Sequence, residues 1–196
     1  MKVSARKKKF LAESLKMIHK KGYKATTMRD LADQMGFEVS NIYNFIDSKE
    51  SLLETYLFEI ADQFHNGIDH IIASSYSPTE KIKALVSLNI KLTTTKPYVV
   101  GLLVNEWRNL KEPKLTEFVE GRNKYEEKVR SIIEEGIQSG EFLAYDLDII
   151  THAVLSSVQW VYYWYIDKQE NVNPYELEKQ LSDFILSGIE QDSKST

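Results

Sequence analysis

Residues 39–44, Val-Ser-Asn-Ile-Tyr-Asn, carry side chains suited to reading the edge of a DNA base pair. Asn41 and Asn44 stand three apart, so a helix presents both on one face. A carboxamide can bond adenine in a bidentate way, the Ser40 hydroxyl can meet any base, and the Val39 methyls can touch a thymine methyl. Tyr43, Lys49 and Thr27 add a phenol, an ammonium and a hydroxyl at a helix start, which are groups that meet phosphate oxygens. Other chemistry is poorly provided for. His65, Asp69 and His70 are close in sequence, but their spacing does not place all three on one helical face, and no metal site is expected. Glu134-Glu135 and Asp146/Asp148 are paired carboxylates without a partner base and read as solvated charge. The chain lacks Gly-x-Ser-x-Gly, a phosphate-binding glycine loop and His-Glu-x-x-His. No catalytic residue and no cofactor is expected.

The candidate residues need a scaffold, and the flanking sequence supplies one. Lys7 to Lys21 carries Phe10, Leu11, Leu15 and Ile18 as one apolar stripe, and Gly22 is placed to end that helix. Thr27 followed by Asp30 reads as a capping box opening a second helix, with Met28, Leu31, Ala32 and Met35 inward and Gly36 at its end. Val39 to Phe45 allows about two turns, with Ile42 and Phe45 inward. Asp47 or Ser48 caps a longer helix to about Ser74. Two short helices joined by a glycine turn are the layout of a helix-turn-helix, which places its second helix in the major groove. Arg6 to Lys9 form a basic lead-in within reach of the DNA backbone or a neighbouring minor groove.

Charge is distributed to match. The chain of 196 residues has a net charge of −4, which alone argues against nucleic acid. Residues 1–50, however, hold 11 Lys/Arg against 6 Asp/Glu, whereas the remainder holds 14 against 23. A basic head on an acidic body confines phosphate affinity to one end. Cysteine is absent, so disulfides and thiolate metal sites are excluded, and a reducing cytoplasm fits. No apolar run approaches the roughly 18 residues of a membrane-spanning helix, and no signal-peptide core follows the basic start.

Beyond residue 50 the pattern stays helical. Ser77-Pro78-Thr79-Glu80 opens a helix to about Thr95, Pro97 another to about Leu110, and Glu112-Pro113 a long one to about Ser139, with a kink or break allowed at Gly121 or Gly136. Asp146 caps a helix to about Asp167 that is apolar nearly all round, and Asn173-Pro174-Tyr175-Glu176 opens the last, ending near Gly188 before a frayed QDSKST tail. The expectation is an all-α fold of about nine helices. A three-helix DNA-binding domain over 1–50 is followed by a helical domain over 51–196. The helix over 146–167 needs cover on more than one side, so it and the final helix (Leu177, Leu181, Phe184, Ile185) are expected to form a four-helix bundle across the two-fold axis of a homodimer.

Residues 9–57 resemble the DNA-binding domain of the TetR family of transcriptional regulators. The resemblance rests on Gly22-Tyr23, Ala25-Thr26-Thr27, Arg29-Asp30-Leu31-Ala32, Gly36, Ile42-Tyr43 and Ser48-Lys49-Glu50-Ser51-Leu52. It implies phosphate contacts from Thr27, Tyr43 and Lys49, base contacts from Val39, Ser40, Asn41 and Asn44, a double-stranded operator as partner, and a C-terminal domain that binds a small effector and dimerises. The segment from Gly136 to Phe142, with Asp146 and the Trp160…Trp164-Tyr165 run, is similar to members that sense fatty acyl-CoA or related lipidic ligands. Tyr98, Trp107, Tyr125, Trp160 and Trp164 are candidates to line such a pocket, with Arg108, Arg122 and Arg130 for an anionic head group. The sequence departs from the family pattern at Phe37 and Glu38, where Val and then Ser or Thr are usual, and a carboxylate there sets repulsion against phosphate. The alternative reading is therefore a helical protein-interaction adaptor that keeps the head fold with weak or lost DNA binding.

Overall fold

The computed structural model describes residues 5–168 and 172–191, and every regular element among them is helical. The order is α1 (Ala5–Lys21), α2 (Met28–Met35), α3 (Val39–Ile42), α4 (Lys49–Ile72), α5 (Pro78–Thr95), α6 (Pro97–Asn105), a 3-10 turn (Trp107–Asn109), α7 (Lys114–Ser139), α8 (Leu147–Gln159), α9 (Val161–Lys168) and α10 (Pro174–Ile189). All nine expected helices occur, the eighth being divided at Trp160 into α8 and α9. The expected tail lies outside the described residues beyond Gln191.

Local chemistry sets the boundaries. Thr27 caps α2 and Ser77 caps α5, each in a reciprocal box with the carboxylate three residues on, Asp30 and Glu80. Asp146 accepts from the amides of Asp148 and Ile149, and Asn173 from that of Tyr175. Ser48, rather than Asp47, opens α4, its hydroxyl accepting from the Ser51 amide at 2.9 Å. Gly36 ends α2 at φ +65°, a left-handed conformation that side chains resist, and the Phe37 amide then reaches back to the Ala32 carbonyl. The helix expected over 113–139 runs unbroken through Gly121 and Gly136.

Two compact units result. Residues 1–60 and 98–118 form one, and residues 61–97 and 119–196 the other. The head expected over 1–50 lies within the first, which also includes the start of α4, α6 and the start of α7. Its core buries Phe10, Ile18, Leu31, Ile42, Leu53 and Leu57, together with Leu102, Leu110 and Phe118. In the second unit α5 packs against α8, α9 and α10, and Ile82, Leu85, Val86 and Ile90 join Val154, Val158, Val161 and Ile185 in one apolar cluster. The buried ammonium of Lys81 meets both carboxylate oxygens of Glu135, at 3.0 and 2.7 Å. The segment after α7 ties down the end of α10, because Leu143 N–H donates to the Ile189 carbonyl and Gln191 N–H to that of Glu141.

Gly136 lies against buried Phe142, and a Cβ there would stand under 3.0 Å from the ring's Cδ2. Helix propensity alone favours Gly136→Ala by roughly 1 kcal/mol. Overpacking costs about 1–3 kcal/mol and is expected to win. Urea unfolding should therefore show Gly136→Ala less stable than the wild type, and a stabilised variant would contradict this packing.

Candidate nucleic-acid interface

The outward surface of the head is built by what its inward surface buries. Ile42 is fully buried and fixes the face of α3, leaving Ser40, Asn41, Tyr43 and Asn44 exposed and Val39 half-buried. Phe45 supports the same element from beyond its end, stacking on Phe10 at 5.3 Å and on Phe37 at 5.8 Å between ring centroids. Arg6 lies over the Phe37 ring at 5.4 Å. Phe37, the departure from the family pattern, thus extends an aromatic stack. Glu38 occupies the N-cap position of α3 without a side-chain cap, exposed to solvent.

The regular part of α3 is shorter than expected. It ends at Ile42, and Tyr43 to Phe45 continue as turns, with Asn44 N–H donating to the Asn41 carbonyl and Phe45 N–H to that of Ile42. Asn41 and Asn44 still emerge from consecutive turns. The basic run Arg6 to Lys9 is not a lead-in ahead of the helix, because α1 already includes it.

The three residues matched to phosphate contacts are placed differently from one another. Tyr43 is exposed at the end of α3. Thr27 is spent within its capping box: its hydroxyl donates to Asp30 Oδ2 at 2.7 Å and accepts from the Asp30 amide at 3.1 Å. What α2 offers an anion is then the amides of Met28 and Arg29, whose places in the first turn give them no acceptor within the helix. Lys49 turns inward. Its Nζ donates to the carbonyls of Tyr23 at 2.8 Å and Thr26 at 2.6 Å, and it stands 4.3 Å over the Tyr23 ring. The Tyr23 ring is buried, and its hydroxyl has no hydrogen-bond partner. Burial above all, then the carboxylates of Glu50, Glu54 and Glu106, push that phenol up to about 12.

Glu106 is the residue the sequence did not reveal. Its Oε1 accepts from the Tyr23 amide at 3.2 Å across 83 positions of chain, and no local pattern marks such a contact.

The candidate ligand residues are divided between the two units. Tyr98 and Trp107 belong to the first unit, where Tyr98 meets His19 edge-on and Trp107 stacks on Phe118. Tyr125, Trp160 and Trp164 belong to the second. Trp160 and Trp164 contact each other edge-on at 5.8 Å, both exposed. The Tyr125 ring meets Phe64 and His65 edge-on, and its hydroxyl is buried without a hydrogen-bond partner. Asn89 donates its amide to the Leu85 carbonyl. Of the arginines considered for a head group, Arg108 lies over Trp107, Arg130 pairs with Asp148, and Arg122 is exposed. Among the described residues no group of three or more His, Asp or Glu could hold a metal, and no helix is long and apolar enough to cross a membrane.

Comparison with known proteins bears on the family and the fold. Residues 10–56 match the family model for bacterial regulatory proteins of the tetR family, and residues 75–189 match that for the tetracyclin repressor-like C-terminal domain. The HTH-type transcriptional repressor KstR2 of Mycolicibacterium smegmatis is 27% identical over 190 residues, spanning 96% of this chain and 92% of its own. The fold is that of the ketosteroid transcriptional regulator KstR2 of Mycobacterium tuberculosis, with a TM-score of 0.87 at 20% identity over 97% of this chain and 98% of the other. AibR, solved with isovaleryl coenzyme A and operator DNA, gives a TM-score of 0.75 at 21% identity over 93% and 97% of the two chains.

The capping box makes α2 sensitive to acid. The Lys21 ammonium beside Asp30, then the Thr27 hydroxyl and amide, hold its carboxyl well below the usual range. A depressed carboxyl contributes its stabilisation above its unfolded-state pKa and loses it as pH falls toward the folded value. Hydrogen exchange of the α2 amides, taken relative to the intrinsic rate at each pH, should therefore accelerate below the ordinary carboxylate range. In Asp30→Asn it should be faster at neutral pH and flatter with acid, and an identical acid response in that variant would refute the assignment.

Proposed function

Because the chain belongs to the TetR family of DNA-binding regulatory proteins, we propose that it is a homodimeric repressor released from its operator by a small acyl-type ligand. The observation that carries the operator reading is the exposed set Ser40, Asn41, Tyr43 and Asn44, held outward by fully buried Ile42. Asn41 and Asn44 read bases, Val39 and Ser40 add contacts at the groove, and Tyr43 with the first-turn amides of α2 meets phosphate. Two heads must address major-groove faces about 34–36 Å apart, so a partner chain is part of the site.

The surface of α8 to α10 supports a symmetric partner. Ile149, Trp160, Tyr163 and Phe184 are all exposed there, with Phe184 at 70%. Ile149, Ala153, Ser156, Trp160 and Tyr163 follow one another at three- and four-residue intervals, which makes a single stripe along α8 and into α9. Apolar area of this kind is covered in stable proteins, and an isologous contact covers it twice. Phe184→Glu is expected to convert the dimer to monomer in native mass spectrometry and to abolish specific binding. A variant that stays dimeric would place the interface elsewhere.

An acyl-type effector is supported by the similarity to AibR, a protein solved with isovaleryl coenzyme A and operator DNA. A ligand that prefers one spacing of the heads draws population from the DNA-bound state. Operator binding, followed by fluorescence anisotropy at fixed salt, should weaken as short- and medium-chain acyl-CoA thioesters are added, and free CoA should act less. Replacement of Asn41 or Asn44 should change the preferred sequence, whereas Tyr43→Phe should weaken all sequences alike. Uniform indifference to acyl-CoA would end the ligand reading and leave the DNA reading intact.

A further inference from the structure

The α1–α2 turn, residues 22–27, is gripped from two directions within the first unit. From the start of α4, the Lys49 ammonium holds the carbonyls of Tyr23 and Thr26. From the end of α6, the Glu106 carboxylate accepts the Tyr23 amide through Oε1. The same carboxylate is oriented by Asn109, whose Nδ2 donates to Oε2 at 2.8 Å and to the Glu106 carbonyl at 3.1 Å. The Tyr23 peptide is thus bonded on its amide side by an acid and on its carbonyl side by a base, with its buried ring under the base. What this turn positions is the DNA-facing surface: it ends at Thr27, the cap of α2, and α2 packs on α3.

We propose that Glu106 is a positioning residue for operator binding, acting with Lys49 through the backbone of Tyr23. Lys49 contributes by holding carbonyls, not by neutralising a phosphate. An ammonium has three N–H groups. Two of those of Lys49 are engaged, and turning it toward DNA would take the ammonium from both carbonyls, leaving that of Tyr23 with the Thr26 N–H at 3.3 Å. The Tyr23 amide lies beyond the end of α1, cannot continue its ladder, and takes its acceptor from a residue far along the chain. Operator affinity is therefore set partly from the end of α6, outside the helix-turn-helix.

This inference rests on the head reading DNA, and salt dependence separates it from a direct role. Each lost phosphate contact makes the slope of log K against log salt shallower by about 0.9. Loss of a positioning contact lowers affinity at an unchanged slope. The probe is the duplex that the full-length wild-type protein selects from a random pool. Lys49→Met and Glu106→Leu should each reduce affinity about tenfold with the wild-type slope. Glu106→Gln, which keeps one acceptor oxygen for the Tyr23 amide, should recover most of it. Hydrogen exchange at the Tyr23 amide should accelerate in Glu106→Leu and stay slow in Glu106→Gln. Should Glu106→Leu fail to fold, Glu106→Asp keeps the charge with a shorter reach, and the same fall at the same slope is expected. A shallower slope for Lys49→Met, wild-type affinity in Glu106→Leu or Glu106→Asp, or a Glu106→Gln as weak as Glu106→Leu would overturn the proposal. A wild-type protein that selects no duplex would overturn the DNA reading itself.

Discussion

A helix of four residues cannot hold itself together. Nucleation fixes three residues for a single hydrogen bond, and α3 has almost nothing further to propagate. Its geometry is imposed by burial: Ile42 is fully enclosed, and Phe45 is clasped between Phe10 of α1 and Phe37 of the turn. The remaining features of the head answer to that constraint. The left-handed Gly36 sets the angle at which the chain leaves α2, the capping box fixes where α2 begins, and the α1–α2 turn fixes where the capping box sits.

That dependence spreads well beyond the first fifty residues. The compact unit around the head takes in α6 and the start of α7, and Glu106 supplies the acceptor for a turn amide near the front of the chain. α4 and α7 each pass from this unit into the other without a break.

Much of this was legible in the chain because it rests on short-range rules. Caps at Thr27, Ser77, Asp146 and Asn173 and the stop at Gly36 are two- to four-residue patterns, and the structure bears each out. The outward set on α3 followed from the inward set, since a helix offers only two sides. What could not be read was how side chains with several options would choose. Lys49 has a charge suited to phosphate and also three donors suited to carbonyls, and only the fold reveals that Tyr23 and Thr26 lie within its reach. Trp160 and Trp164 looked equally able to line a cavity or a surface, and they stand exposed. The division at Trp160 was missed because nothing there breaks a helix, neither proline nor glycine, and the structure offers no local reason for it. The length of α3 was overestimated because apolar periodicity continues through Phe45 even where regular hydrogen bonding does not.

The economy of α3 has an evolutionary side. Ile42 and Phe45 tie that element into the core, while Ser40, Asn41 and Asn44 stand exposed. Surface positions of this kind usually change stability by no more than about 0.5 kcal/mol when substituted. If those side chains read the operator as proposed above, mutational drift there wanders across many promoter vocabularies while the scaffold stays intact, and a new target gene becomes accessible through a few codons rather than through a new fold.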